Sequence, residues 1–270
     1  MNQVRPAAVA GFFYPADAGT LAHDVAAMLA DARKSAGMGV VPKAIIVPHA
    51  GYVYSGPIAA RAYATLHAAR DRIRRVVLMG PTHRTPVRGL AVPAATAFAS
   101  PLGTVAIDRD AIARVADLPQ VVVSDSVHAL EHSLEVHLPF LQSVLGAFTL
   151  VPFAVGRASA DEVAEVLDRL WGGDDTLIVV SSDLSHYLPY AVARETDRKT
   201  VDAILGLDAV IDHEHACGGT PVNGLLVAAR RHGLQAHLLD LRNSGDTAGD
   251  RNRVVGYCSI AFEETGRHDA

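Results

Sequence analysis

Five short runs of apolar, largely β-branched residues punctuate the chain: KAIIVP (43–48), RRVVLMG (74–80), FTLVPFAVG (148–156), TLIVVSSD (176–183) and VVGYCSIAF (254–262). Each is short enough for a strand buried on both faces. Between them lie segments with helical periodicity at 18–37, 56–70, 161–171, 194–207 and 223–233. Strand alternating with helix predicts a doubly wound α/β fold, a mostly parallel sheet with helices on both faces. The stretch TAFASPLGTVAIDRDAIARVA (96–116) reads as a hairpin followed by a helix that starts at Asp108, an edge element rather than a second domain. No repeat or low-complexity linker interrupts the chain, so residues 1–270 are read as one domain. RNSGDTAGDRN (242–252) reads as a long turn, a mobile flap over the strand ends; it lacks the terminal Lys-Ser/Thr of a phosphate-binding loop.

With 270 residues, 50% of them hydrophobic and 20% charged, the chain can bury a full core. A net charge of −5 and no Lys/Arg block leave no footprint for nucleic acid or an anionic membrane. Small molecules or other proteins are therefore the expected partners. The N-terminus has no signal-peptide pattern and no stretch reaches the ~18 apolar residues of a membrane span, so a cytoplasmic protein is expected. Two cysteines cannot make a disulfide framework, whereas 13 histidines direct attention to imidazole chemistry.

Ligands of open α/β sheets sit outside the carboxyl ends of the strands. IIVPHAGY brings His49 there, VVLMGPTHR brings His83, IVVSSDLSHY brings Asp183 and His186, and HACGGTPVNGLL brings Cys217 at a helix start. His49 and His83 are about one βαβ unit apart, so consecutive parallel strands can bring them together. Spacing alone leaves two readings open, a metal site or two turn-capping residues. Asp183, three residues before His186, can face its imidazole or can simply cap a helix. The run 128–145 reads as one helix with Leu130, Leu134, Leu138 and Leu141 as its buried stripe and Glu131 and Glu135 on a common face. Most polar groups of this run are expected in solvent, with Glu131 and His132 the ones aimed at a site. It is not the zinc-protease H-E-x-x-H pattern. A helix N-terminus is expected to lower the Cys217 thiol pKa, whereas Cys258 reads as buried and inert. His23, His67, His213, His215, His232, His237 and His268 carry no motif and are given no role.

RPAAVAGFFYPAD, PHAGYVYSG, GPTHR, EHSLEVHLPFLQ, SSDLSHY, CGGTPVNGLL and SGDTAGDRNRVVGYCSIAF together resemble, in order and over nearly the whole chain, the Memo family. That family is named for a mediator of ErbB2-driven cell motility, and its microbial members are also called component B of the AmmeMemoRadiSam system. The resemblance implies a fold similar to class III extradiol dioxygenases, and radical-SAM and AMMECR-type proteins as partners. It implies His49, His83 and Cys217 as metal ligands and His186 as acid/base, with Asp183 beside it. Glu131 and His132 are then expected around the ligands. The dioxygenases hold Fe(II) with two His and a carboxylate; a thiolate in the third place makes copper or Zn²⁺ competitive with Fe(II). The leading expectation is thus a metal-binding protein with redox- or oxygen-linked chemistry. Its rivals are an extradiol-type dioxygenase acting on a catechol-like substrate, and a binding module whose cleft takes a peptide or protein.

Overall fold

The strands Ala44–Val47, Arg75–Pro81, Thr149–Val155 and Thr176–Ser181 bury almost every residue on both faces, which is why their sequences run apolar without alternation. A computed structural model of the chain, which describes residues 3–34 and 41–264, makes them parallel neighbours at the centre of a nine-stranded sheet. Ile45 lies opposite Val179, and Val77 lies between Ile178 and Val151. Residues 35–37 of the first helical segment and His268 fall outside the described residues.

The connection from Ala44–Val47 to Arg75–Pro81 runs through the helix Tyr52–Ala64 and moves one way along the sheet. The connection from Thr149–Val155 to Thr176–Ser181 runs through Ala160–Leu170 and moves the other way. Right-handed crossovers therefore set these two helices on opposite faces. Ala18–Arg33 packs on the first of them and Gly219–Arg231 on the second. The α/β class expected from the sequence is thus present, with a parallel centre.

Both flanks join the parallel centre through antiparallel pairs, which makes the whole sheet mixed. Leu90–Val92 pairs antiparallel with Thr149–Val155 and continues to Val121–Val123. On the other side Val254–Glu264 runs antiparallel to Ala44–Val47, and also pairs with His186–Leu188 and Leu234–Asn243. The last of these carries no clean apolar alternation, because most of its residues are only partly buried at the sheet edge. Its ladder shortens the long turn expected at 242–252, which begins at Ser244. Arg242 and Asn243 end a strand, and the Asn243 side chain accepts from Gly245 N–H while Asp246 accepts from Asn243 N–H. This first part is a capped turn in which Asn243 and Ser244 are buried and Asp246 is exposed.

The hairpin expected in 96–116 is formed by Ala97–Ser100 and Gly103–Ala106. It takes up Val4–Arg5 in a separate three-stranded sheet, and the Asp108 carboxylate caps the helix Arg109–Ala113 through Ala111 N–H. The single helix expected in 128–145 is instead part of three short ones, Asp125–Ala129, His132–Glu135 and Leu138–Val144. The break falls where Glu131 leaves helical geometry and caps the second piece through Ser133 N–H. Leu130 is consequently 65% exposed, whereas Leu134, Leu138 and Leu141 are buried. Polar groups expected in solvent are also inside: His128, Glu135 and His137 are each no more than 1% exposed, as is Glu131, which was expected to face a site.

His128 shows what such burial implies. Its Nε2 meets the Ala91 carbonyl oxygen at 2.9 Å, and burial pushes its pKa down to about 4. Unfolded histidine titrates near ~6.5. Between these values the unfolded chain binds a proton that the native chain refuses, so this residue makes stability rise with pH. Equilibrium urea unfolding from pH 4.5 to 7 should show the slope, and His128→Gln should flatten it by about 1.4 kcal/mol per pH unit. An unchanged slope in the variant contradicts this assignment.

Candidate metal centre

Three imidazoles meet at the carboxyl ends of the central strands. His49 follows Ala44–Val47, His83 follows Arg75–Pro81, and His132 opens the short helix His132–Glu135. Among the described residues they form a group in which one ring nitrogen from each lies within 4.8 Å of the others. Ring centroids are 5.1 Å apart for His49 and His83, 5.5 Å for His49 and His132, and 4.6 Å for His83 and His132. His49 is buried and His83 exposed, so the cluster opens to solvent on the His83 side.

Each ring has a different support. Glu131 accepts from the His83 backbone N–H at 2.5 Å and meets its Nδ1 at 2.9 Å. A carboxylate can only accept, so Nδ1 carries the proton and the His83 Nε2 lone pair is left for a ligand. Burial opposes ionisation of Glu131, but the hydrogen bonds from His83 and Ser133 outweigh it and hold the carboxyl at about 2. His49 Nδ1 lies 2.6 Å from Ser181 Oγ. Burial first, and then the neighbouring imidazoles, push the His49 pKa well down. Burial, aided by His83, lowers His132 to about 4. The His132 Nδ1 is buried without a hydrogen-bond partner; Glu131 Oε1 is 3.4 Å away. A cation bound at this nitrogen would give it a partner.

Cys217 stands beside His49 on the helix side, and its sulfur is not among the atoms that converge within 4.8 Å. Its Sγ is 3.3 Å from His49 Nε2. Close approach depends on Gly218, where a Cβ would stand 2.5 Å from the Ser181 carbonyl oxygen. Gly80 serves the other side: a Cβ there would stand 2.8 Å from Ser133 Oγ and push away the helix that carries His132. The expected lowering of the Cys217 pKa is not found. Burial and the Asp183 charge push the thiol up to about 12, outweighing its hydrogen bonds. A cation at the His49 side would reverse that balance.

Asp183 and His186 do not form the expected pair. The Asp183 carboxylate accepts from His49 N–H at 2.7 Å and from Ala50 N–H, and so fixes the turn that carries His49. Burial raises its pKa to about 7 against those hydrogen bonds. His186 begins the strand His186–Leu188; burial lowers its pKa, opposed by a hydrogen bond to the Leu184 backbone.

Glu135, which shares no face with Glu131, does a separate job. It pairs with Arg5 in the interior and accepts from Ala8 N–H at 2.7 Å, Val9 N–H at 3.0 Å and the Tyr14 hydroxyl. The N-terminal segment is thereby held against the site, where the Phe13 ring lies 4.6 Å from that of His132 and the Phe13 carbonyl accepts from Tyr52 N–H. Sequence reasoning missed this brace, and also Ser181, His137 and Tyr63 behind His49. Ser181 stands inside the SSD run already singled out, but nothing in a hydroxyl's spacing announces its partners.

A family model described as Memo-like protein matches residues 5–261. Curated relatives named MEMO1 family protein include one from Ignicoccus hospitalis, 36% identical and covering 96% of this chain and 98% of its own. Others are from Methanosarcina acetivorans, 36% identical over 97% and 100%, and Aquifex aeolicus, 36% identical over 96% and 99%. Among solved structures, the uncharacterized protein JW3007 of Escherichia coli K12 is similar in fold, with a TM-score of 0.51, 15% identity, and coverage of 80% of this chain and 98% of its own.

Removing one partner of the buried Arg5 and Glu135 pair strands the other charge and the amides it serves. Glu135→Ala should therefore cost about 3 to 5 kcal/mol in chemical unfolding. A loss under about 1 kcal/mol, the surface-pair range, would show that the brace is not holding the segment.

Proposed function

Because the chain belongs to the Memo family, we propose that it holds a metal ion at the strand carboxyl ends, with His49, His83 and Cys217 as ligands. Fe(II) or copper is the expected occupant and Zn²⁺ the competitor, since imidazole with thiolate suits all three better than Mg²⁺ or Ca²⁺. The observation that carries this reading is the convergence of one ring nitrogen each from His49, His83 and His132 within 4.8 Å. His132 belongs to the same group and is a further candidate ligand.

A bound Fe or copper ion supplies redox- or oxygen-linked chemistry. The chain supplies the rest. Glu131 orients His83 and keeps its Nε2 free. Asp183 anchors the His49 turn through two backbone amides. His186, half-buried and held neutral, is the group for accepting or donating a proton at the mouth of the site. In this reading the protein works in the cytoplasm on a small molecule or peptide held in the cleft, with radical-SAM and AMMECR-type proteins as partners. No helix of the described residues is long and apolar enough to cross a membrane.

Anaerobic purification, separate loading with Fe(II), Cu(I) or Zn²⁺, and elemental analysis test the proposal. Wild type should retain one ion per chain through desalting, and His49→Ala and Cys217→Ser should each lose most of it. Equal retention by wild type and His49→Ala would place the ion elsewhere, and no retention by wild type would end the proposal. Oxygen uptake by the Fe(II) form with a panel of catechols separates the dioxygenase reading from a binding or redox role.

A further inference from the structure

Behind His49 lies a buried polar chain that touches no solvent. Ser181 ends the strand Thr176–Ser181, His137 sits between the helices His132–Glu135 and Leu138–Val144, and Tyr63 belongs to the helix Tyr52–Ala64. All three are no more than 1% exposed. The Ser181 Oγ has three neighbours at hydrogen-bond distance: the Ser133 carbonyl oxygen at 2.7 Å, His49 Nδ1 at 2.6 Å and His137 Nε2 at 2.8 Å. His137 Nδ1 in turn lies 2.9 Å from the Tyr63 hydroxyl. Tyr63 is fixed by stacking on Phe140, with ring centroids 5.0 Å apart and planes inclined by 8°.

Counting protons settles the direction of every bond in this chain. A serine hydroxyl carries one hydrogen, and a carbonyl oxygen can only accept. All three contacts are hydrogen bonds only if Ser181 donates to Ser133 and both imidazoles donate to Ser181. His49 must then carry its proton on Nδ1, and His137 on Nε2. A neutral His137 has a bare Nδ1, which accepts the Tyr63 hydroxyl proton. The His49 Nε2 is left bare, and it is the atom that lies 3.3 Å from Cys217 Sγ.

We propose that Ser181, His137 and Tyr63 are positioning residues that lock His49 in its Nδ1–H tautomer and so leave its Nε2, the atom beside Cys217, with a free lone pair for the site it shares with His83 and His132. The significance of that lock for metal binding rests on the metal-centre reading above; the lock itself does not. It is the counterpart of what Glu131 does for His83, built from neutral groups instead of a carboxylate. A carboxylate in the place of Ser181 would have no counter-charge inside the sheet, so a hydroxyl whose own proton is committed elsewhere is the acceptor the interior tolerates.

Long-range ¹H–¹⁵N correlation spectra of histidine-labelled, metal-free protein test this directly. Wild type should show His49 protonated at Nδ1 and bare at Nε2, and His137 protonated at Nε2. Ser181→Ala should release His49 into a mixture containing the Nε2–H form and weaken Zn²⁺ binding by about 10- to 100-fold. Tyr63→Phe keeps the ring packed on Phe140 and should disturb the His137 tautomer, with the smaller effect on Zn²⁺. This conservative variant decides the matter if Ser181→Ala does not fold. A merely structural role would shift thermal unfolding and leave the tautomers unchanged. Wild-type His49 protonated on Nε2, or unaltered tautomers in both variants, would overturn the proposal. Wild type that takes up no Zn²⁺ but shows the expected tautomers would defeat the metal-centre reading and leave the lock standing.

Discussion

Imidazoles packed ring against ring inside a protein are tolerated only when they stay neutral and when their outward nitrogens find partners. That constraint governs the carboxyl end of this sheet. His49, His132 and His137 all have lowered pKa values, with burial the largest cause in each case. A carboxylate answers His83 and a committed hydroxyl answers both His49 and His137. The nitrogen left unanswered, Nδ1 of His132, is in the ring that completes the cluster.

The surrounding scaffold can be understood as a means of bringing these groups together. Parallel strands with crossovers of opposite sense put the ends of Ala44–Val47, Arg75–Pro81 and Thr176–Ser181 side by side. Two glycines, Gly80 and Gly218, allow the short helix carrying His132 and the turn carrying Cys217 to come within contact distance of the sheet. The N-terminal segment closes one side through the Arg5, Tyr14 and Glu135 brace. Each device is cheap in residues, but each fixes a side chain from a different part of the chain.

Much of this was legible in the sequence, and the limits have physical causes. Apolar runs without alternation revealed the buried parallel strands, and residues just beyond them, His49, His83 and Asp183, were correctly located at the sheet edge. The edge strand Leu234–Asn243 was not legible, because a strand that is partly buried along its length shows neither alternation nor a continuous apolar run. The run 128–145 misled because leucines at helical spacing survive a break in the helix. Glu135, unlike Glu131, reads as solvated from the sequence because burial of its charge depends on a partner, Arg5, that lies more than a hundred residues away in the chain. Asp183 was read with its near neighbour His186, but two backbone amides at the His49 turn offered it better hydrogen bonds.

X-ray absorption at the metal edge of protein loaded with one equivalent of Zn²⁺ addresses the central claim most directly. The account predicts imidazole scattering together with a sulfur neighbour at about 2.3 Å, and loss of that sulfur signal in Cys217→Ser. A spectrum with oxygen neighbours only and no imidazole scattering would contradict it.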